Sequence, residues 1–355
     1  MALIKLHLAE KTKVFSVAAA LAVAQALFGG GAYDVSVADF PRLAGETGDS
    51  ARIMRAVDAA GRGGVVWFPR GEYEIDAMLA VTNQSSLLMH KSAHLKAVRE
   101  MPFMLKYTGS LSYNQALDHN LFIKGGNIDG NGLAGCAQVV RLWHFTMADS
   151  TFRNGKGVGL QFGDPASKDG CEIVANNLYF ICDKPGLAGN VGLLTYIGDS
   201  HFTDIVVVDY TTGIRDMRWS NRFTRCHVWG GRVKKPGTEI REMLENSVAF
   251  DLQGSDAVLE NCYADTAMTG FRVCRDARIF NCAYYNNWHF KMDNPTVFRH
   301  EGGNLIVTGC RFSKNSPKAT LYSSGKSAGS LAWRDNNLLN FTDSDKKGLF
   351  DKLKH

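Results

Sequence analysis

Two stretches decide the reading: "LENCYAD" at residues 259–265 and "IFNCAYY" at 279–285. Each places an apolar residue three positions before a cysteine, a polar residue directly before it, and an apolar one two positions after it. Two more cysteines repeat the arrangement. Cys226, Cys262, Cys282 and Cys310 follow Phe223, Leu259, Ile279 and Val307, and precede Val228, Ala264, Tyr284 and Phe312. A fifth copy lacks the cysteine and carries Phe202, Ile205 and Val207. Immediately before the column stand Asp204, Arg225, Asn261, Asn281 and Gly309, mostly residue types that tolerate a bend. The unit is a short strand, a bend, and a second short strand with period-two alternation. A third strand follows, marked by Gly213-Ile214, Ala249-Phe250, Gly270-Phe271 and His289-Phe290.

The column positions 205, 226, 262, 282 and 310 lie 21, 36, 20 and 28 residues apart. A base period near twenty with variable loops is the mark of a parallel β-solenoid, in which one coil cannot bury its own inner face but a stack can. Equivalent residues then stack about 4.8 Å apart. The cysteines read first as an inward ladder of small apolar side chains. Coil-to-coil disulfides are the alternative. A metal site has less in its favour: no CxxC spacing occurs within the column, and no histidine accompanies it.

Composition agrees with one large domain. The chain has 355 residues, 45% of them hydrophobic, with 36 glycines for tight turns and only 8 prolines. A net charge of +5 with no lysine–arginine run gives no reason to expect nucleic acid as a partner. Eight cysteines in a chain of this length are not a disulfide scaffold. The apolar run of 14–28 is too short and alanine-rich for a membrane span. It suits either a signal peptide, cleaved after 26 or 32, or a capping helix on the first coil. Secretion follows from the first and a cytoplasmic location from the second. The expected layout is 1–32 signal or cap, 33–325 solenoid, and 326–355 C-terminal cap.

Residues 33–76 read as a strand, a turn, a helix capped by Ser50 with Ile53, Met54, Val57 and Ala60 as its apolar positions, and the strand "VVWFP". Asp39-Phe40, Gly48-Asp49-Ser50, Gly63-Gly64-Val65, Phe68-Pro69, Gly71, Tyr73 and Ile75 together resemble the opening of the pectin-lyase-like superfamily of right-handed β-helices. "GGNIDGNG" at 125–132 resembles a turn of glycoside hydrolase family 28. The resemblance spans roughly residues 35–135, and the repeated coils extend it to about 325. It implies an all-β, right-handed parallel β-helix with an N-terminal helical cap, acting on carbohydrate. That family's catalytic NTD, DD, GHG and RIK motifs are missing from this chain, so its catalytic residues cannot be transferred. Asp129, within the matched turn, reads as a local turn-former.

Register supplies other candidates. The residues after the third-strand markers point outward: Arg215, Asp251, Arg272 and Lys291. They form either a solvated ion-pair stripe or a substrate face that binds carboxylates and hydroxyls. The insertion at 230–247 would wall that face. Trp219, Trp229 and Trp288 sit on neighbouring turns as packing residues or sugar platforms, and His201 and His227 are structural or proton-carrying. A hydrolase needs two carboxyls roughly 5–9.5 Å apart, a separation that one or two coils provide. Asp209 and Asp265, at nearly equivalent turns, with Asp251 between them, are the catalytic candidates; Arg215, Arg272, Lys291, His227 and Trp229 are the binding candidates. For a lyase, Arg215 or Arg272 would be the base. The expectation is a glycoside hydrolase acting on an oligo- or polysaccharide that could be acidic, without cofactor or metal, as a monomer or homotrimer. A polysaccharide lyase and a non-catalytic, tailspike-like glycan-binding shaft are the alternatives, the last suggested by the opening "VSVADF".

Overall fold

The computed structural model describes residues 32–109, 120–166, 170–184, 187–234, 237–238, 241–286 and 292–354. The expected signal or capping segment therefore lies outside the described residues, except for Ala32. The chain is a right-handed parallel β-helix whose coils each add one rung to three long sheets.

Sheet I includes Phe122–Lys124, Arg222–Thr224, Ala257–Glu260 and Ala277–Phe280. Sheet II includes Gly71–Ile75, Ala93–Ala97, Asn127–Asp129, His227–Trp229, Tyr263–Asp265 and Ala283–Tyr285. Sheet III includes Thr212–Asp216, Val248–Leu252, Thr269–Val273 and the first part of Thr296–Thr308.

The bend between sheets I and II is a single left-handed residue in every repeated coil. Asp204, Arg225, Asn261 and Asn281 have φ of 55°, 52°, 54° and 51°, and Gly309 has 68°. Asparagine, aspartate and glycine accept this conformation readily; arginine does not. Arg225 is braced by a two-pronged ion pair with Asp204 on the previous coil, at 2.7 Å for each prong. After the bend the chain turns inward. Cys226, Cys262, Cys282 and Cys310 are all buried, and all eight cysteines are free thiols. Each thiol of the column lies within 3.6 Å of a backbone carbonyl.

Stacking also builds aromatic ladders in the core. Phe250, Phe271 and Phe298 stack with ring centroids 5.4 and 5.0 Å apart. The glycines that precede Ile214 and Phe271 in this sheet have a steric cause. A Cβ on Gly213 would lie 2.3 Å from Val228 Cγ1, and one on Gly270 would lie 2.7 Å from Tyr284. The Gly-apolar signature thus marks where sheet III passes close over side chains of sheet II.

The first coil is closed by helix α1, Ser50–Ala60, which buries Ile53, Ala56 and Val57 and ends at Gly61 with φ 68°. Ser50 is the first helical residue, not the cap. Its hydroxyl donates to the Ala77 carbonyl and accepts from the amides of Asp76 and Ala77. The coils continue past 325 through Thr320–Arg334 and Asn337–Leu339. Helix α2, Asp343–Leu353, begins with a capping box on Thr342 and packs on the last rung.

Candidate functional site

Sheet III carries the expected charge ladder with one change. Cα pairing runs Arg215, Asp251, Arg272, Arg299, so the fourth rung is Arg299 and not Lys291. The marker pair is Val297-Phe298, because Phe271 pairs with Phe298 rather than with Phe290. Lys291 and Trp288 lie outside the described residues. Arg215 Nε donates to Asp251 Oδ2 at 2.7 Å, and Gln253 donates to the same oxygen at 2.9 Å. Arg272 lies 3.8 Å from Asp251 Oδ1 and grips Glu301 Oε2 with two nitrogens at 3.1 and 2.9 Å. Arg299 binds the other Glu301 oxygen at 2.7 Å. Burial would raise the Glu301 pKa, but the Arg272 guanidinium outweighs it and holds the carboxyl below its ordinary range. Asp251 is fully buried within this ladder, while the arginines remain partly exposed.

The other candidates sit across the turn, on and beside sheet II. Trp229 pairs with Asp265, but Asp209 follows Val208, the partner of Trp229. Asp209 therefore aligns with Gly230 and Thr266, one residue beyond Asp265, and the two aspartates are not at equivalent positions. Asp209 occupies the left-handed turn, with φ 61°. Arg232, at the start of the insertion's hairpin Arg232–Lys234/Arg241–Met243, binds both its oxygens at 2.7 and 3.1 Å. The same guanidinium lies 4.8 Å from the Trp229 ring centre. The pair is almost completely buried, with side chains 7% and 1% exposed.

Asp265 is placed differently. It ends the strand Tyr263–Asp265; Thr266 Oγ1 donates to its Oδ1 at 2.5 Å, and His227 Nε2 lies 3.8 Å from its Oδ2. Burial, and then a hydrogen bond with this carboxylate, push the Tyr285 phenol up to about 12. No arginine ion pair to Asp265 occurs among the described residues. His227 stacks on Tyr263 at 3.8 Å, and Tyr263 stacks on Tyr285 at 6.0 Å. The result is an aromatic face over three successive coils, with Tyr285 exposed. Two ring nitrogens in it, His227 Nε2 and Trp229 Nε1, are buried without a hydrogen-bond partner among the described residues. Such orphaned groups are rare in folded proteins and mark positions a ligand or water completes.

The structure thus brings His227, Trp229, Asp265 and Asp209 together beside the insertion, and places Arg215, Asp251 and Arg272 on the adjoining sheet. His201 lies at the start of a sheet I rung and Trp219 on the turn after sheet III, apart from both groups. Tyr263, Tyr285, Arg232 and Glu301 were not singled out from sequence. The tyrosines are legible in hindsight: both stand at odd offsets from a buried cysteine, where alternation points outward.

Among the described residues no set of three or more histidine, cysteine or acidic side chains forms a metal site, and no helix is long and apolar enough to cross a membrane.

No family model and no curated protein matches the chain. Solved structures do match in fold. Endo-xylogalacturonan hydrolase from Aspergillus tubingensis has a TM-score of 0.57 at 14% identity, over 86% of this chain and 92% of that one. The A-module of the Azotobacter vinelandii mannuronan C-5 epimerase AlgE4 has a TM-score of 0.52 at 17% identity, over 86% and 96%. ORF18 of Geobacillus virus E2 has a TM-score of 0.59 at 16% identity over 86% of this chain, and this chain covers 59% of its length. At these identities the likeness shows the fold alone, a parallel β-helix, which is the fold that the motifs at 39–75 and 125–132 imply.

Proposed function

We propose that this protein cleaves glycosidic bonds in a carbohydrate chain bound on the outward face of sheet II, with Asp265 as the acid–base group. The carrying observation is the pair of unpartnered ring nitrogens, His227 Nε2 and Trp229 Nε1, beside a carboxylate and a stacked aromatic face. A sugar ring presents what this surface lacks. Its hydroxyls accept from ring N–H groups and donate to a carboxylate, and its C–H face packs on tyrosine. The named hydrolase and epimerase neighbours share the fold with this chain, and the reading draws on them only as carbohydrate-acting examples of that fold.

Hydrolysis is the leading reaction. Asp265, protonated in the complex, gives its proton to the departing glycosidic oxygen; as that bond breaks a water bonds to the anomeric carbon and loses its proton to His227, and the proton returns to Asp265 before the next turnover. Asp209 and Asp251 serve in this reading as structural carboxylates, since arginine already occupies both. That arrangement also favours a second reaction class, β-elimination, which needs one base next to the sugar and no second carboxyl. The test is a glycan panel with product mass spectrometry on wild type and Asp265→Asn. Hydrolysis adds one water across the cleaved bond, whereas elimination leaves an unsaturated product. The variant should lose turnover by orders of magnitude and keep its melting temperature. Equal turnover in both proteins would remove Asp265 as the catalyst, and binding without any product would make the chain a non-catalytic glycan-binding protein.

A further inference from the structure

The outward column of sheet II that carries His227 runs back unbroken toward the first coil. Its rungs are His94, Asn127, Thr151, Tyr179, Val206 and His227, five coil steps in all. At about 4.8 Å per coil this is about 24 Å. At its far end lies a separate depression of about 370 Å³ lined by residues including Arg70, Glu72, Lys91, His94 and Asn127.

The floor of this depression has the same peculiarity as the first site. His94 Nε2 and Asn127 Oδ1 are both buried without a hydrogen-bond partner among the described residues. His94 Nε2 lies 3.6 Å from Asp129 Oδ2, too far for a hydrogen bond. Asp129 is fixed through its other oxygen, which accepts from the Asn131 amide at 2.7 Å. A ring nitrogen and a carbonyl oxygen with unmet capacity thus belong to two residues that line one cavity, with the Asp129 carboxylate 3.6 Å from the histidine. The surrounding charges are mixed: Arg70 and Lys91 against Glu72 and Asp129. That balance disfavours a bare anion or cation and suits an uncharged group rich in hydroxyls.

We propose that this depression is a second sugar subsite and that one glycan chain lies along sheet II, parallel to the solenoid axis, from His94 to His227. The inference rests on the carbohydrate reading of the His227–Asp265 face. The surface between the two ends suits such a track. Tyr179, midway along the column, is 39% exposed and offers a ring for stacking. A pyranose unit and its linkage match the rise of one coil closely, so successive sugars meet successive rungs.

The experiment measures binding of linear oligosaccharides of three and eight units, neutral and uronate-containing, to wild type, His94→Ala, Asn127→Ala and Lys91→Ala. Lys91 is exposed at the rim, which keeps one variant free of folding risk; thermal melts check the others. Affinity of the wild type should rise from the trimer to the octamer. In the pocket variants the octamer should lose about tenfold, the scale of one or two lost polar contacts, while trimer affinity stays unchanged. An octamer that binds through Tyr263 and Asp265 with undiminished affinity in all three folded pocket variants would overturn the second subsite alone. Failure of every oligosaccharide to bind the wild type would overturn the carbohydrate reading and this inference with it.

Discussion

Replacing Asp209 by asparagine separates a catalytic carboxylate from a structural one. Its carboxylate is held by Arg232 through two hydrogen bonds of 2.7 and 3.1 Å in a nearly solvent-free position. Asparagine keeps the shape and removes the charge that the buried guanidinium faces at this position. Breaking a buried pair from one side costs about 3–5 kcal/mol. At roughly 2 °C per kcal/mol for a chain this large, the melting temperature should fall by about 6–10 °C. Arg232 also anchors the insertion's hairpin and covers Trp229, so the loss should be felt beside the sugar site. The assay is calorimetric or denaturant unfolding of Asp209→Asn, Arg232→Met and the double variant. If the pair is a structural unit, the double variant should be more stable than the sum of the single losses predicts. A fully stable Asp209→Asn protein without activity would refute this reasoning and return Asp209 to the catalytic group.

Asp216 gives a pH prediction. It is fully buried on sheet III, its Oδ2 has no hydrogen-bond partner among the described residues, and burial raises its pKa from 3.8 to about 7. Below pH 3.8 both folded and unfolded states hold the proton; above it the unfolded state ionises first, so this group costs stability increasingly up to about pH 7. Asp216→Asn should therefore gain on wild type between pH 4 and pH 8, by at most about 4 kcal/mol; a stability difference that does not vary with pH would count against the assignment. For the cysteine ladder, thiol titration of the native protein should find few reactive groups and many more after denaturation. Cys262→Ser should cost only the low end of ~1–3 kcal/mol, because the Phe223 and Glu260 carbonyls, 3.2 and 3.4 Å from the sulfur, can receive the hydroxyl; a loss far above that range would mean that the sulfur's volume dominates.

The coils were legible because each repeats a local constraint: a left-handed bend, then an inward residue, as at Asn261-Cys262 and Asn281-Cys282. Where loops interrupt the period, register was harder to read. His289-Phe290 imitates the sheet III marker, yet the rung belongs to Val297-Phe298, which moves the ladder from Lys291 to Arg299. The Asp209–Arg232 pair was hidden for a related reason, since the arginine comes from the insertion and follows no repeat. His94 and Asn127 lie on early coils that lack the cysteine marker. Their relation to His227 exists only through five stacked rungs, which no local pattern in the sequence records.

The most direct test is a crystal structure of the Asp265→Asn variant with a bound linear octasaccharide drawn from the glycan panel. The account predicts sugar density on sheet II, with a ring against Tyr263 or Tyr285, hydroxyls at His227 Nε2 and Trp229 Nε1, and the chain running toward His94. Density confined to the Arg215–Asp251–Arg272 ladder of sheet III, with the sheet II face empty, would contradict it.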